Sequence, residues 1–298
     1  MRYGRRLANY RLFREHLPLP LLTVELSFGA EDFELREGEA DILIQLRGQD
    51  VLWQKERLLN VALGALPSEC TKVVWLDCDV IFGADHWSRE VSGLLDEFPL
   101  VQAFRRVHYL PRDLGPGEAS LADAEFSRTS TASAVASGLS AHAGLARTPE
   151  LRVQDMYAEG FAWAVRRELI GEHGFYDACI VGNGSYAMAC AAYGVFDLAV
   201  RRNSMNELQR EHYLAWAKPY SESVGGAVSS AECDLFHLWH GEMRDRRYRE
   251  RYEGLGRFRF DPYEDIAIDG NGPWRWDSDK PQLHQWVKEY FASRREDG

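Results

Sequence analysis

Apolar positions along this chain change period repeatedly. Leu21 to Phe28 (LLTVELSF) and Ala40 to Leu46 (ADILIQL) are short runs with a Gly/Glu-rich stretch between them, which predicts two strands and an exposed connection. Val51 to Leu66 (VLWQKERLLNVALGAL) shifts to helical spacing, with Leu52, Leu59, Leu63 and Leu66 on one stripe and Pro67 as its stop. VVWLDCDVIF, Val73 to Phe82, again predicts a strand, this time buried on both faces. Trp87, Val91, Leu94, Leu95 and Phe98 mark a second amphipathic helix, and Leu100 to Phe104 a further short strand. Strands alternating with amphipathic helices predict an α/β layer structure, and no linker divides it into two domains.

From about Arg105 to Arg147 the periodicity fades into small and polar residues (ASLADAEFSRTSTASAVASGLSAHAG), which predicts a mobile loop region. Order resumes at Tyr157 with GFAWAVRRELIGEHGFYD, and a helix is expected from Ser185, as N-cap, through Ala192. The last hundred residues are aromatic and charged. They contain HLWHGEMRDRRYRERY, a PWRW segment and a final amphipathic helix with Leu283, Val287, Tyr290 and Phe291.

Composition narrows the class. Of 298 residues 45% are hydrophobic and 27% charged, the balance of a globular protein with a core. A formal net charge of −11 argues against nonspecific nucleic-acid binding. No apolar run approaches the roughly 20 residues of a membrane span. The basic N-terminus MRYGRRLANYRLFREH lacks the apolar stretch of a secretory signal. Cys70, Cys78, Cys179, Cys190 and Cys233 are odd in number and form no CxxC pair, so reduced thiols in a cytoplasmic protein are expected.

Asp77 and Asp79 interrupt the hydrophobic run VVWLDCDVIF. An unpaired ionised carboxylate buried there is costly, so each is expected to be paired, protonated or bound to a metal. Strand periodicity turns both to the same side, where two oxygen donors suit Mg²⁺ or Mn²⁺. A capped or salt-bridged strand end is the plain alternative. Context favours ligand binding, because open α/β sheets bind ligands beyond the carboxyl ends of their strands.

WQKERLLNVALGAL, then KVVWLDCDVIF, then HLWH resembles the metal-dependent glycosyltransferases of the GT-A fold, nearest the β-1,4-galactosyltransferase type. The resemblance spans roughly Leu21 to Arg251, with only these blocks specific. It implies a single Rossmann-like domain with a mixed, mostly parallel sheet flanked by helices. Residues 1–104 would form the nucleotide-binding half, 105–150 the loop region and 151–298 the sugar and acceptor side. Asp79 would ligate Mn²⁺ or Mg²⁺, Asp77 would bridge metal and donor ribose, and His240, or else His237, would be the late ligand. Arg57 and Asn60 would lie beneath the nucleotide. Gly182 and Trp163 would shape the sugar pockets, although Trp163 reads equally well as core. Arginines such as Arg247 would reach the diphosphate, although a solvated helix face explains most of that run. The donor implied is a nucleotide sugar, most simply a UDP-sugar, and the acceptor a saccharide, polysaccharide or lipid-linked hydroxyl. A hexosyltransferase of this kind would be cytoplasmic, free or peripheral to a membrane.

Inverting relatives carry an acidic base where this chain has Ser185, within Gly182-Asn183-Gly184-Ser185, and Asp177 and Glu159 are the nearest carboxylates to replace it. Two rival readings remain open. One is a noncatalytic nucleotide-sugar-binding relative, which Ser185 favours. The other is a metal-dependent nucleotidyltransferase or phosphohydrolase, which would be expected to carry a G-x-x-x-x-G-K-[ST] loop that this chain lacks.

Overall fold

The computed structural model describes residues 4–112, 114, 123–148, 150–248, 250–270 and 272–295. Helix α1 (Gly4–Glu15) precedes the parallel pair β1 (Leu22–Phe28) and β2 (Ile42–Gly48), and α2 (Lys55–Ala65) follows. α2 starts later than its apolar stripe, with Gln54 as the residue before its first turn. Its side chain hydrogen-bonds the backbone of Trp274 in both directions, at 2.8 and 2.9 Å. The run around the two aspartates is not one strand. It breaks into β3 (Lys72–Leu76) and β4 (Val80–Phe82), and then α3 (Trp87–Glu97) and β5 (Leu100–Gln102) follow.

The stretch expected to be a mobile loop contains β6 (Arg106–Tyr109), β7 (Phe126–Thr129), α4 (Thr131–Ala136) and α5 (Ala141–Leu145). Residues 113, 115–122 and 149 of that stretch lie outside the described residues. Some of its small residues belong to the core, since Ala132 and Ala134 are buried. Ser130 and Ser140 cap the two short helices by accepting from the amides of Ser133 and Ala143, each at 3.2 Å.

Further along lie β8 (Ala162–Arg166), α6 (Arg167–His173), α7 (Gly184–Ala192), α8 (Phe196–Arg202) and α9 (Glu207–Val224). β9 (Val228–Ser230), β10 (Asp234–His237), α10 (Glu250–Gly256), β11 (Ile266–Ile268), β12 (Trp274–Trp276) and α11 (Pro281–Ser293) complete the fold. The architecture is α/β with several small mixed sheets. One four-stranded sheet runs β3-β8-β5-β9 and the other β4-β10-β6-β7. Only β1–β2, β10–β6 and β5–β9 are parallel among the described pairs, so the expected mostly parallel sheet is corrected to a mixed one. β8 is the main reason, because it runs antiparallel to both β3 and β5.

The β3-β8-β5-β9 sheet has cores on both faces. Trp163 and Val165 point into a core with α7 and α9, while Ala162 and Ala164 point to α3 and α1. α7 is buried along almost its whole length, which is why its sequence is apolar on every side. Trp87 fastens α3 beneath β4, being 1% exposed and stacked on Phe82 at 3.7 Å between ring centroids. Trp87→Ala is expected to lower stability by about 3–5 kcal/mol, the usual cost of emptying such a site. Denaturant unfolding with unchanged steepness and a lower midpoint checks this.

Candidate metal centre

Asp77, Cys78 and Asp79 form the crossing between the two four-stranded sheets, since β3 belongs to one and β4 to the other. Backbone bonds fix the crossing at each end. The Asp77 amide donates to Phe161 at 2.8 Å, and Asp79 accepts from the Leu238 amide at 2.8 Å. Residues 77–79 are a turn and not a strand, so strand alternation does not apply to the two carboxylates, and they take different partners. Asp77 pairs with the Lys55 ammonium at the start of α2.

Asp79 faces the end of β10. Antiparallel pairing sets His237 opposite Val80, next to Asp79 in the chain. The chain then turns through Gly241, whose φ of +91° favours glycine. Asn9 of α1 steadies this turn by donating to the Trp239 carbonyl at 3.1 Å. His240 Nε2 lies 2.9 Å from Asp79 Oδ2, His237 Nε2 lies 3.9 Å from Oδ1, and the two Nε2 atoms are 3.2 Å apart.

This set fits a divalent cation on three counts. Neighbouring ligands around an ion with bonds of about 2.1 Å sit about 3 Å apart, close to the distances here. Asp79 Oδ1 is buried without a hydrogen-bond partner. Burial pushes His237 down to about 3, so its imidazole is neutral, as a ligand must be. Burial also works against ionised Asp79, but His240, at hydrogen-bond distance, and the Arg246 guanidinium outweigh it and hold the carboxyl well below its usual range. Arg246 reaches His240 Nε2 at 2.8 Å and brings positive charge to the place an ion would take. Asp79, His237 and His240 are the ligand group of this kind among the described residues, and Asp77 is not part of it.

The remaining expected residues lie elsewhere. Arg57 pairs with Asp177 at 3.3 Å and donates to the Gly272 carbonyl at 3.0 Å. Asn60 donates to Asp177 at 2.8 Å and exchanges two bonds with the Phe175 backbone. The three side chains clamp α2 to the segment after α6. Burial raises the Asp177 carboxyl against these partners, yet its charge is already matched. Glu159 sits between Arg147 at 2.7 Å and Arg128 at 3.2 Å. Burial opposes its ionisation, but the two guanidinium groups prevail and lower its pKa.

Trp163 is 4% exposed, lies roughly parallel to Trp75 in the core and donates to the Glu159 carbonyl at 2.9 Å. It has no free face for a sugar. Gly182 and Asn183 adopt φ of +93° and +83° before α7, and Asn183 is the N-cap. Ser185 lies inside the first turn, which corrects its expected place as the cap. Arg247 is exposed, and Arg249 lies outside the described residues. Arg251, expected on a solvated face, is buried among Tyr248, Tyr252 and Tyr290.

The pattern of the sequence did not single out Lys55 or Glu56. Glu56 is 3% exposed, accepts from Trp53 Nε1 at 2.7 Å and has its carboxylate against Gly184, leaving no room there for a Cβ. Its spacing of three from Trp53 at a helix start is the one local signal. Compared with known proteins, the chain matches no family, no curated protein and no solved structure.

Glu159→Gln would leave two buried guanidinium groups short of a partner, a loss of about 3–5 kcal/mol near neutral pH. Because the folded-state pKa of Glu159 is lowered, its contribution is full above the ordinary carboxyl value of about 4.3 and fades as pH falls toward the lowered one. Urea titrations from pH 7 down to the acid limit should show wild type and variant converging. A constant difference would exclude the ion pair as the cause.

Proposed function

We propose that the chain is a divalent-metal-dependent glycosyltransferase taking a nucleoside-diphosphate sugar, with a UDP-sugar as donor and a saccharide, polysaccharide or lipid-linked hydroxyl as acceptor. One observation carries this reading. Asp79 of the aspartate pair converges with His237 and His240 from the far end of the sequence, with ligand distances that suit one ion. Two imidazoles draw the set away from Mg²⁺, which favours oxygen throughout, toward first-row transition ions such as Mn²⁺.

A divalent ion there supplies Lewis-acid stabilisation of a departing diphosphate. The chain's own residues support the same task. Arg246 lies against His240, and a guanidinium fork matches phosphate oxygens once it is free to turn to them. Lys55 neutralises Asp77 at the crossing, so that one carboxylate of the pair is matched by protein and the other is left to the histidines. No described helix is long and apolar enough to cross a membrane.

A second reading, a metal–nucleotide-binding protein without transfer, is favoured by the ion pairs that occupy Asp177 and Glu159 and by Ser185 in place of an acid. Turnover separates the two.

UDP and Mn²⁺ together are expected to raise the melting temperature of wild type more than either alone. A ligand at one hundred times its Kd contributes about 2.7 kcal/mol. Asp79→Asn, which keeps the side-chain shape, should remove the joint effect, and His240→Ala and His237→Ala should each weaken Mn²⁺ binding measured by calorimetry. Failure of Mn²⁺ to bind wild type, or full binding by Asp79→Asn, would sink the metal reading.

A further inference from the structure

Beside the candidate metal centre one bulky residue holds a backbone conformation that its side chain disfavours. Phe161, immediately before β8, has φ of +74°. The Ala162 amide donates back to the Gly160 carbonyl at 3.1 Å, so Phe161 is the middle residue of a three-residue turn. A positive φ closed by that hydrogen bond is the rarer and more strained form of γ-turn. Glycine takes such a φ without steric cost, yet phenylalanine stands here.

The segment on both sides of the turn is tied down. The Glu159 carboxylate lies between Arg147 and Arg128, and its carbonyl accepts from Trp163 Nε1 at 2.9 Å. The Ala158 amide donates to Thr129 at 2.8 Å, and the Ala103 amide donates to Ala162 at 3.0 Å. A strained residue persists only where its surroundings over-determine it, and such residues gather at functional sites.

Two links run from Phe161 to the ligands of the centre. Its carbonyl accepts from the Asp77 amide at 2.8 Å, which fixes the crossing that carries Asp79. Its ring stands roughly perpendicular to the His237 imidazole, with centroids 5.3 Å apart. Tyr109 leans on the same imidazole at 4.9 Å and meets Phe161 at 5.9 Å, so His237 is boxed by two aromatic rings. A metal-ligating histidine is usually oriented by a hydrogen bond from its other ring nitrogen. Among the described residues the His237 imidazole hydrogen-bonds only through Nε2, to His240. Ring packing is left to set its angle.

We propose that Phe161 is a positioning residue of the metal centre, an inference that rests on the metal reading above. Its carbonyl places Asp79 and its ring places His237, so a single turn sets two of the three ligands. Glycine at this position would supply the carbonyl without strain but not the ring, which is the physical reason for phenylalanine in a conformation suited to glycine.

The test follows Mn²⁺ affinity by calorimetry and the visible spectrum of bound Co²⁺, which reports coordination geometry. Phe161→Leu keeps apolar bulk and loses the flat ring, and Phe161→Gly relieves the backbone as well. Both should bind Mn²⁺ about 10–100-fold more weakly than wild type and shift the Co²⁺ spectrum, as expected when a ligand loses the group behind it. Phe161→Tyr keeps the ring and should return affinity and spectrum close to wild type. Leu95→Ala empties a site on α3 in the same core, and it should lower the melting temperature while leaving both readouts unchanged. Wild-type affinity and spectrum in Phe161→Leu would reduce Phe161 to core packing and overturn the proposal. An equal loss of affinity in Leu95→Ala would do the same. If Phe161→Leu does not fold, Phe161→Met takes its place in the comparison. A wild type that binds neither Mn²⁺ nor Co²⁺ would overturn the metal reading itself, and the role of Phe161 with it.

Discussion

A carboxylate stands where one sheet hands the chain to the next, and much of the structure follows from neutralising it. Asp79 sits between β3 and β4, strands of different sheets, with its backbone bonded across to Leu238. In so buried a place its charge needs cations or an ion, and β10 answers by ending in His237 with His240 one turn on. The register of β4 against β10 therefore decides the chemistry. A slip of one residue would turn His237 to the opposite face and leave Asp79 facing apolar side chains.

The other buried charges fall into two kinds. Arg57, Asn60 and Asp177 form a closed group, and so do Arg128, Arg147 and Glu159. Such groups hold α2 and the segment before β8 in place, and their charges cancel locally. Around Asp79 the matching is incomplete, with Oδ1 unpartnered and Arg246 crowded against an imidazole. Native interiors rarely leave polar atoms so, and where they do a ligand or a reaction is the usual reason. The contrast within one small region is what separates scaffold from candidate site.

Much was legible in the sequence. Apolar periods located α2, α3, α11 and the strands β1, β2 and β5 to within a few residues, because these elements bury one face and that face must be apolar. The interruption of a hydrophobic run by Asp77 and Asp79 marked the crossing, and the spacing of His237 and His240 marked the candidate ligands. Composition by itself argued for a globular chain without a long apolar span.

What the sequence could not specify was pairing between distant segments. The strand read through Val73 to Phe82 breaks at Asp77 because its halves join different sheets, and that depends on partners far along the chain. Antiparallel β8 made the sheet mixed, Ala132 and Ala134 between Arg105 and Arg147 are buried, and Arg251 is buried by Tyr248, Tyr252 and Tyr290. Glu56 drew no notice, since at a helix start a glutamate is ordinary. Local pattern reports which faces are buried, because burial of each face is settled by its own residues. Which charges meet is settled by the packing of whole elements, and that only the tertiary structure decided.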